Sequence, residues 1–279
     1  MKESLLIVDG LNYLYRAYFG ITEAIKNKDG VQLNAVYGFF SFLRKSVSAT
    51  NTNAVLIVFD SENAVKNKQI IFKDYKSNRD YSDSRMFLQL RIIKEILTMM
   101  KITYLEEDNV EADDLIGSYA IHAKNNQSDV YISSNDYDFI QLVDDKISLS
   151  RSYRGEYIIL NPGIVFEKYG IPACYYADYL ALVGDKTDCI DGIKGIGPNT
   201  AKGLIIKYNT IENLLNNLSE LKPTVKKKIE GFVAKLILNK KMTQINVSVK
   251  ANLISIDKLK LQPNILSVKT SEYLSRLSL

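Results

Sequence analysis

Three short β-branched runs, Leu5–Val8, Val55–Phe59 and Val130–Ile132, constrain this chain most, because each leads into an aspartate. LLIVDG ends at Asp9, VLIVFD at Asp60, and VYISSND at Asp136, with Asp138 two residues further on. Between the runs lie apolar faces with helical spacing: Ala35, Val36, Phe39, Phe40 and Leu43; Met86, Leu90, Ile93, Leu97 and Met100; Leu115, Ile116, Tyr119, Ala120 and Ala123. Strands alternating with helices predict an α/β fold with a mainly parallel central sheet flanked by helices. In an open parallel sheet, sites form outside the carboxyl ends of the strands. All three strands therefore deliver an acid to one edge. A lone Asp after a strand is ordinarily a turn residue or a helix N-cap, but three in register weaken that reading.

Two more acidic groups follow. VEADDLIG carries Glu111, Asp113 and Asp114 at a helix start, where the helix dipole favours acids but their mutual repulsion asks for a cation. GDKTDCIDG carries Asp185, Asp188 and Asp191, and a three-residue step brings carboxylates to one face. The chain has one histidine, His122, read as a solvated helix-end residue, and two cysteines, Cys174 and Cys189. A zinc site, a disulfide framework and histidine-based nucleophilic catalysis are thus disfavoured. An all-oxygen ligand set selects Mg²⁺ or Mn²⁺. Two such ions about 4 Å apart hydrolyse phosphodiesters without histidine. The first residues, MKESLLIVDG, are too briefly apolar for a signal peptide, and no run is long enough to span a bilayer. A cytoplasmic, monomeric protein with no membrane partner is expected.

From Pro172 onward the pattern turns helical and Gly-punctuated. Residues 1–165 read as the α/β part, 166–250 as a helical part, and 251–279 as a tail packing on the core. Within the helical part, about 180–207, Gly192-Ile193-Lys194-Gly195-Ile196-Gly197-Pro198-Asn199-Thr200-Ala201-Lys202 has the pattern of a helix-hairpin-helix turn. Its glycines let a phosphate approach backbone amides and a helix N-terminus, and Lys194 and Lys202 add charge. Such a contact reads DNA backbone rather than base sequence. Basic and aromatic residues are interleaved at Tyr13, Tyr15, Arg16 and Tyr18, and again at Lys66, Lys68, Lys73, Tyr75, Lys76 and Arg79. Charge runs are usually solvated faces, but these adjoin the acids, where lysines grip phosphates and tyrosines stack on unpaired bases. Lys226, Lys227 and Lys228 form a further run, on a face open to solvent or duplex backbone.

Together these residues resemble the 5′-nuclease superfamily: the 5′→3′ exonuclease domain of bacterial DNA polymerase I, its stand-alone relatives, and flap endonucleases. The resemblance spans residues 4–245 and rests on IVDGLNYLYRAYF, AVYGF, VFD, YKSNR, VEADDLIG, Asp136-x-Asp138, QLV, EKYGI and ALVGDKTDCIDGIKGIGPNTAKGLI. It implies a first metal held by Asp9, Asp60, Glu111 and Asp113, a second held by Asp136, Asp138, Asp185 and Asp188, and Asp114 between them. It implies a helical arch over about 66–95, with Lys68, Tyr75, Lys76, Arg79 and Tyr81 in or beside it. Arg16 and Tyr18, with Gly192, Lys194, Gly195, Gly197, Thr200 and Lys202 of the hairpin, are implied to bind DNA, and K⁺ to sit at the hairpin.

This chain departs from the family pattern at several places, among them a stretch between Arg79 and Met86 that is short and lacks the usual prolines. Lys68 stands where bacterial relatives carry Arg, Tyr137 where Lys is usual, Cys189 for Asn and Asp191 for Pro. A lysine keeps the charge but loses the bidentate fork. The chain offers no room for proofreading or polymerase domains, and it keeps every second-metal acid. The expectation is a stand-alone, Mg²⁺-dependent 5′→3′ exonuclease and flap endonuclease acting at duplex/5′ single-strand junctions, including RNA primers of Okazaki fragments, in replication and repair. Lys68 or Lys76 stabilises phosphoryl charge, and a separate DNA polymerase is a partner. Two alternatives differ in class: a structure-selective DNA-binding protein with weak or no cleavage, and a PIN-type ribonuclease, which would lack the hairpin and the basic arch.

Overall fold

The computed structural model describes residues 3–21, 25–61, 63–77, 83–249 and 253–279. Strand β1 (Ser4–Asp9) leads into helix α1 (Gly10–Gly20), and α2 (Asn34–Thr50) into β2 (Ala54–Asp60). Short α3 (Lys66–Ile71) and longer α4 (Ser84–Met99) precede β3 (Tyr104–Glu107), α5 (Ala112–Asn125) and β4 (Asp129–Ser133). Strands β5 (Ile147–Tyr153) and β6 (Glu156–Leu160) complete a sheet of order β3-β2-β1-β4-β5-β6. Every pair is parallel except β5 with β6.

Leu5 to Asp9 pair with Ala54 to Val58, while Ser4 to Val8 pair with Asp129 to Ser133. β1 therefore sits between the two directions of winding. The crevice beyond the carboxyl ends of β1 and β4 is the topological switch point, where α/β sheets place their ligands. The inner strands are buried on both faces, which is why they read as continuous apolar runs. One core layer joins Leu5, Ile7, Leu56 and Val58 to Leu115, Ile116 and Tyr119 of α5. The opposite layer joins Leu6, Val8 and Ile57 to Phe39, Phe40 and Leu43 of α2 and to Ile93 and Leu97 of α4.

Past β6 the chain is helical: α6 (Pro162–Tyr169), α7 (Tyr176–Val183), α8 (Pro198–Tyr208), α9 (Ile211–Asn216), α10 (Pro223–Glu230) and α11 (Val233–Thr243). A minimal antiparallel pair, β7 (Gly184–Asp185) and β8 (Ile190–Asp191), interrupts it between α7 and α8. Gly184 has φ +85° and lies so close to Gly192 that a Cβ would stand 2.4 Å from its amide nitrogen. Only glycine fits there. Near the C-terminus α12 (Thr270–Arg276) buries Tyr273 and Leu274 beside α2 and α4, and Arg44 ties the segment down by donating to Leu266 O and Val268 O, both at 2.8 Å. Among the described residues no helix is long and apolar enough to cross a membrane.

Candidate metal centre and nucleic-acid interface

The acids converge on the crevice from separate elements. Asp9 ends β1 and caps α1: Asn12 N donates to its Oδ1 at 3.0 Å. Its Oδ2 accepts from Ser134 Oγ at 2.7 Å. Ser134 in turn accepts from Asp136 N at 3.0 Å, and Asp136 Oδ1 accepts from Asp138 N at 2.9 Å. One buried hydroxyl thus joins the acid after β1 to the acids after β4. Asp60 ends β2 and accepts from Ala112 N at 2.7 Å, capping α5. That contact brings Glu111, Asp113 and Asp114 to the same edge. Asn246 N, following α11, donates to Asp114 Oδ1 at 2.8 Å. In the β7–β8 loop Asp185 Oδ1 accepts from Thr187 N at 2.7 Å. Oxygens of Asp138, Asp185 and Asp188 lie within 4.8 Å of one another.

Packing like charges out of water disfavours their ionised forms. Burial, with repulsion from Asp113 and Asp60, pushes Asp9 up to about 7. Burial and Asp113 likewise raise Asp60 to about 6 and Asp136 to about 6. Asp138 is raised by burial and by Asp136, Asp188 and Asp185, and Asp114 mainly by burial. Glu111 goes the other way: burial opposes its charge, but Lys76 and Lys68 outweigh that and lower its pKa. Lys76 Nζ lies 2.6 Å from Glu111 Oε1, 3.5 Å from Asp113 Oδ2 and 3.9 Å from Asp188 Oδ2. Burial works against the Lys76 charge, yet these acids hold its pKa well above the ordinary lysine value. Lys68 makes a second ion pair with Glu111, and Tyr75 OH donates to Glu111 Oε1 at 3.1 Å. Lys76 takes a left-handed backbone, φ +51°, and its amide donates to Asp188 O at 3.3 Å. The segment after α3 is therefore docked on the β7–β8 loop.

The donor set fits hard divalent cations. It is all oxygen, densely packed, and includes carboxylates whose ionised forms burial and neighbouring acids disfavour, a cost that a cation would offset. In the hairpin, Gly195 O accepts from Lys228 Nζ at 2.9 Å and Ile193 O from Ile196 N at 2.9 Å, each keeping a second lone pair. Gly195 has φ +82°, while Lys194 and Thr200 are exposed and Lys202 is half-buried. Gly192 follows β8 directly, and Gly197 precedes α8, so the hairpin is tethered to the Asp185–Asp188 loop.

The basic, aromatic residues divide. Lys68, Tyr75 and Lys76 reach the acids, but Tyr75 is 1% exposed and offers no open ring for stacking. Tyr18 is also turned inward, its hydroxyl donating to Asp83 Oδ2 at 2.6 Å. Arg16 lies over the Phe42 ring, 4.5 Å from its centroid. Arg79 and Tyr81 lie outside the described residues. Asp191 is exposed and pairs with Lys235 at 3.7 Å, apart from the cluster. Sequence reasoning missed Ser134. Its only signal is a hydroxyl two residues before Asp136, which ordinarily reads as a turn.

Models of two domains match consecutive stretches: 5′-3′ exonuclease, N-terminal resolvase-like domain, over residues 4–170, and 5′-3′ exonuclease, C-terminal SAM fold, over residues 171–265. A 5′-3′ exonuclease of Buchnera aphidicola subsp. Schizaphis graminum is 36% identical over 222 residues, covering 79% of this chain and 76% of the relative. DNA polymerase I of Caldicellulosiruptor bescii is 32% identical over 248 residues, or 86% of this chain, which spans only 29% of that relative's length. The T5 D15 protein, crystallised with metal ions, superposes with a TM-score of 0.76 at 18% identity over 98% of this chain and 99% of its own, a likeness of fold. The two models together span the sheet, the acidic crevice and the hairpin, and the chain belongs to the 5′-3′ exonuclease family.

Proposed function

We propose that the chain is a divalent-metal-dependent 5′→3′ exonuclease and flap endonuclease acting on DNA at duplex/5′ single-strand junctions, RNA primers included. The observation that carries this is the convergence of acids from β1, β2, α5, the β4 end and the β7–β8 loop on one crevice, with Lys68 and Lys76 inside it. In this reading Asp9, Asp60, Glu111 and Asp113 serve one cation, Asp136, Asp138, Asp185 and Asp188 a second, and Asp114 lies between. Mg²⁺ is the assigned ion, with Mn²⁺ able to substitute. Divalent cations held there offset phosphate charge and ease deprotonation of the attacking water. Lys76 and Lys68 sit where they can turn from Glu111 to the scissile phosphate and stabilise developing charge. Arg79, beside them in sequence, is assigned to the same task. Ser134 holds the Asp9 carboxyl and the Asp136 backbone in register. The hairpin, through Gly192, Gly195, Gly197, Thr200, Lys194 and Lys202, grips duplex backbone without reading sequence. Arg16, Tyr18 and Tyr81 are assigned to the same binding role, which for Tyr18 requires its hydroxyl to leave Asp83.

The test is product mapping on one labelled 5′-flap duplex, with and without Mg²⁺. Cuts at the junction that vanish in chelator support the reading. Binding without cuts would favour a structure-selective DNA-binding protein. Cuts confined to single-stranded RNA would favour a PIN-type ribonuclease.

A further inference from the structure

Between the buried acids Asp136 and Asp138, Tyr137 points elsewhere: it stays 41% exposed. Arg151 Cζ lies 3.5 Å from its ring centroid, and Lys168 Nζ lies 5.9 Å from it. Tyr169 meets the ring edge-on at 6.0 Å and continues into Tyr176 at 5.4 Å. Two polar atoms enclosed here, Arg151 Nε and Tyr169 OH, have no hydrogen-bond partner among the described residues. The Tyr137 hydroxyl lies beside both the Arg151 guanidinium and Tyr169, and Arg151 Nη2 donates to Asn135 O at 2.7 Å. Enclosed polar atoms left unpaired in a native fold call for a ligand or solvent. The position of the group is equally telling. Gly170, which caps α6 one residue after Tyr169, would place a Cβ 4.0 Å from Lys202 Cδ at the start of α8. The aromatic group therefore lies between the acidic crevice and the hairpin helix.

We propose that Tyr137, Arg151, Lys168 and Tyr169 form a nucleotide-binding platform for the strand that runs from the acidic crevice to the hairpin. An unpaired or terminal base stacks on the face of Tyr137 that Arg151 leaves open. The adjoining phosphate is met by Lys168 and Arg151, and Tyr169 OH bonds sugar or phosphate oxygen. Stacking on an aromatic tolerates any base, so the platform fixes the position of the cut rather than its sequence. The inference rests on reading the crevice as the cutting centre.

The test places 2-aminopurine at successive nucleotides beside the junction of a 5′-flap duplex, bound with Ca²⁺ in place of Mg²⁺. Wild type is expected to change the fluorescence of one position, and Tyr137→Phe to preserve that change. Tyr137→Ala and Tyr137→Leu should abolish it and weaken flap binding on the order of tenfold. Mn²⁺ affinity measured without DNA should stay unchanged. If wild type cuts the flap and Tyr137→Ala retains the full fluorescence change, the platform is wrong and the nuclease reading stands. Loss of Mn²⁺ affinity in Tyr137→Ala also overturns the platform, because the residue would then act by positioning its neighbouring acids. A wild type that neither binds nor cuts the flap overturns both.

Discussion

Asp9 shows how a capping residue and a site residue coincide. One oxygen caps α1 and the other accepts from Ser134, so the ordinary role of an Asp after a strand also orients it toward the crevice. Burial and neighbouring acids raise Asp9 to about 7, and Asp60 and Asp136 to about 6. A carboxyl whose folded pKa is raised favours the protonated state, so the metal-free protein loses stability as pH rises from the unfolded value of 3.8 toward about 7. Bound divalent cations remove that loss. The gap in Tm with and without Mg²⁺ should thus widen from about pH 5 to about pH 8, then level off. A gap that narrows over that range would contradict the raised values. Ser134→Ala leaves Asp9 Oδ2 and the Asp136 amide without their shared partner, and should cost about 1–3 kcal/mol in urea unfolding under chelator. The acids were legible because strand ends expose them as a pattern. Ser134 was not, because its importance comes from the pairing of β1 with β4, which no local signal carries. The inward turn of Tyr18 and Tyr75 was hidden for the same reason.

At the level of elements, the α3 segment docks on the β7–β8 loop and puts Lys76 inside the cluster of Glu111, Asp113 and Asp188. The ammonium is a tethered cation among acids that would otherwise repel. Lys76→Met should therefore act in opposite directions: divalent affinity without DNA rises, while cleavage falls on the order of 10²–10³-fold. Calorimetric Mn²⁺ titration beside single-turnover cleavage checks both signs, and equal losses in both would contradict the arrangement. Helix α8 and its hairpin present Lys194 and Lys202. Replacing either with Ala should weaken duplex binding for all sequences and lower the salt slope by about 1. The inner strands β1, β2 and β4 were legible from burial on both faces. Edge strand β3, with sequence YLEE, and β5, ISLSRSY, carry too few apolar residues to stand out.

Across the whole molecule a formal charge of only +4 conceals two opposite regions. Most of the assigned acids lie at one switch-point crevice, leaving a basic remainder that includes the hairpin and the Lys226–Lys228 run. The order β3-β2-β1-β4-β5-β6 is what gathers them, since it puts β1 and β4 side by side with their carboxyl ends in register. The α/β class and the acid edge could be read from strands ending in aspartate. Strand order could not, because it depends on long-range pairing. Flap binding should fall steeply with salt and strengthen with divalent cation, since an empty acidic pocket repels phosphate. The most direct test of the central claim compares Asp136→Ala and Asp185→Ala with wild type on a 5′-flap duplex in saturating Mg²⁺. The account predicts that cleavage falls by on the order of 10²–10³-fold or more while junction binding largely survives. Cleavage at the wild-type rate in either variant would contradict the assignment of these carboxylates to the reaction.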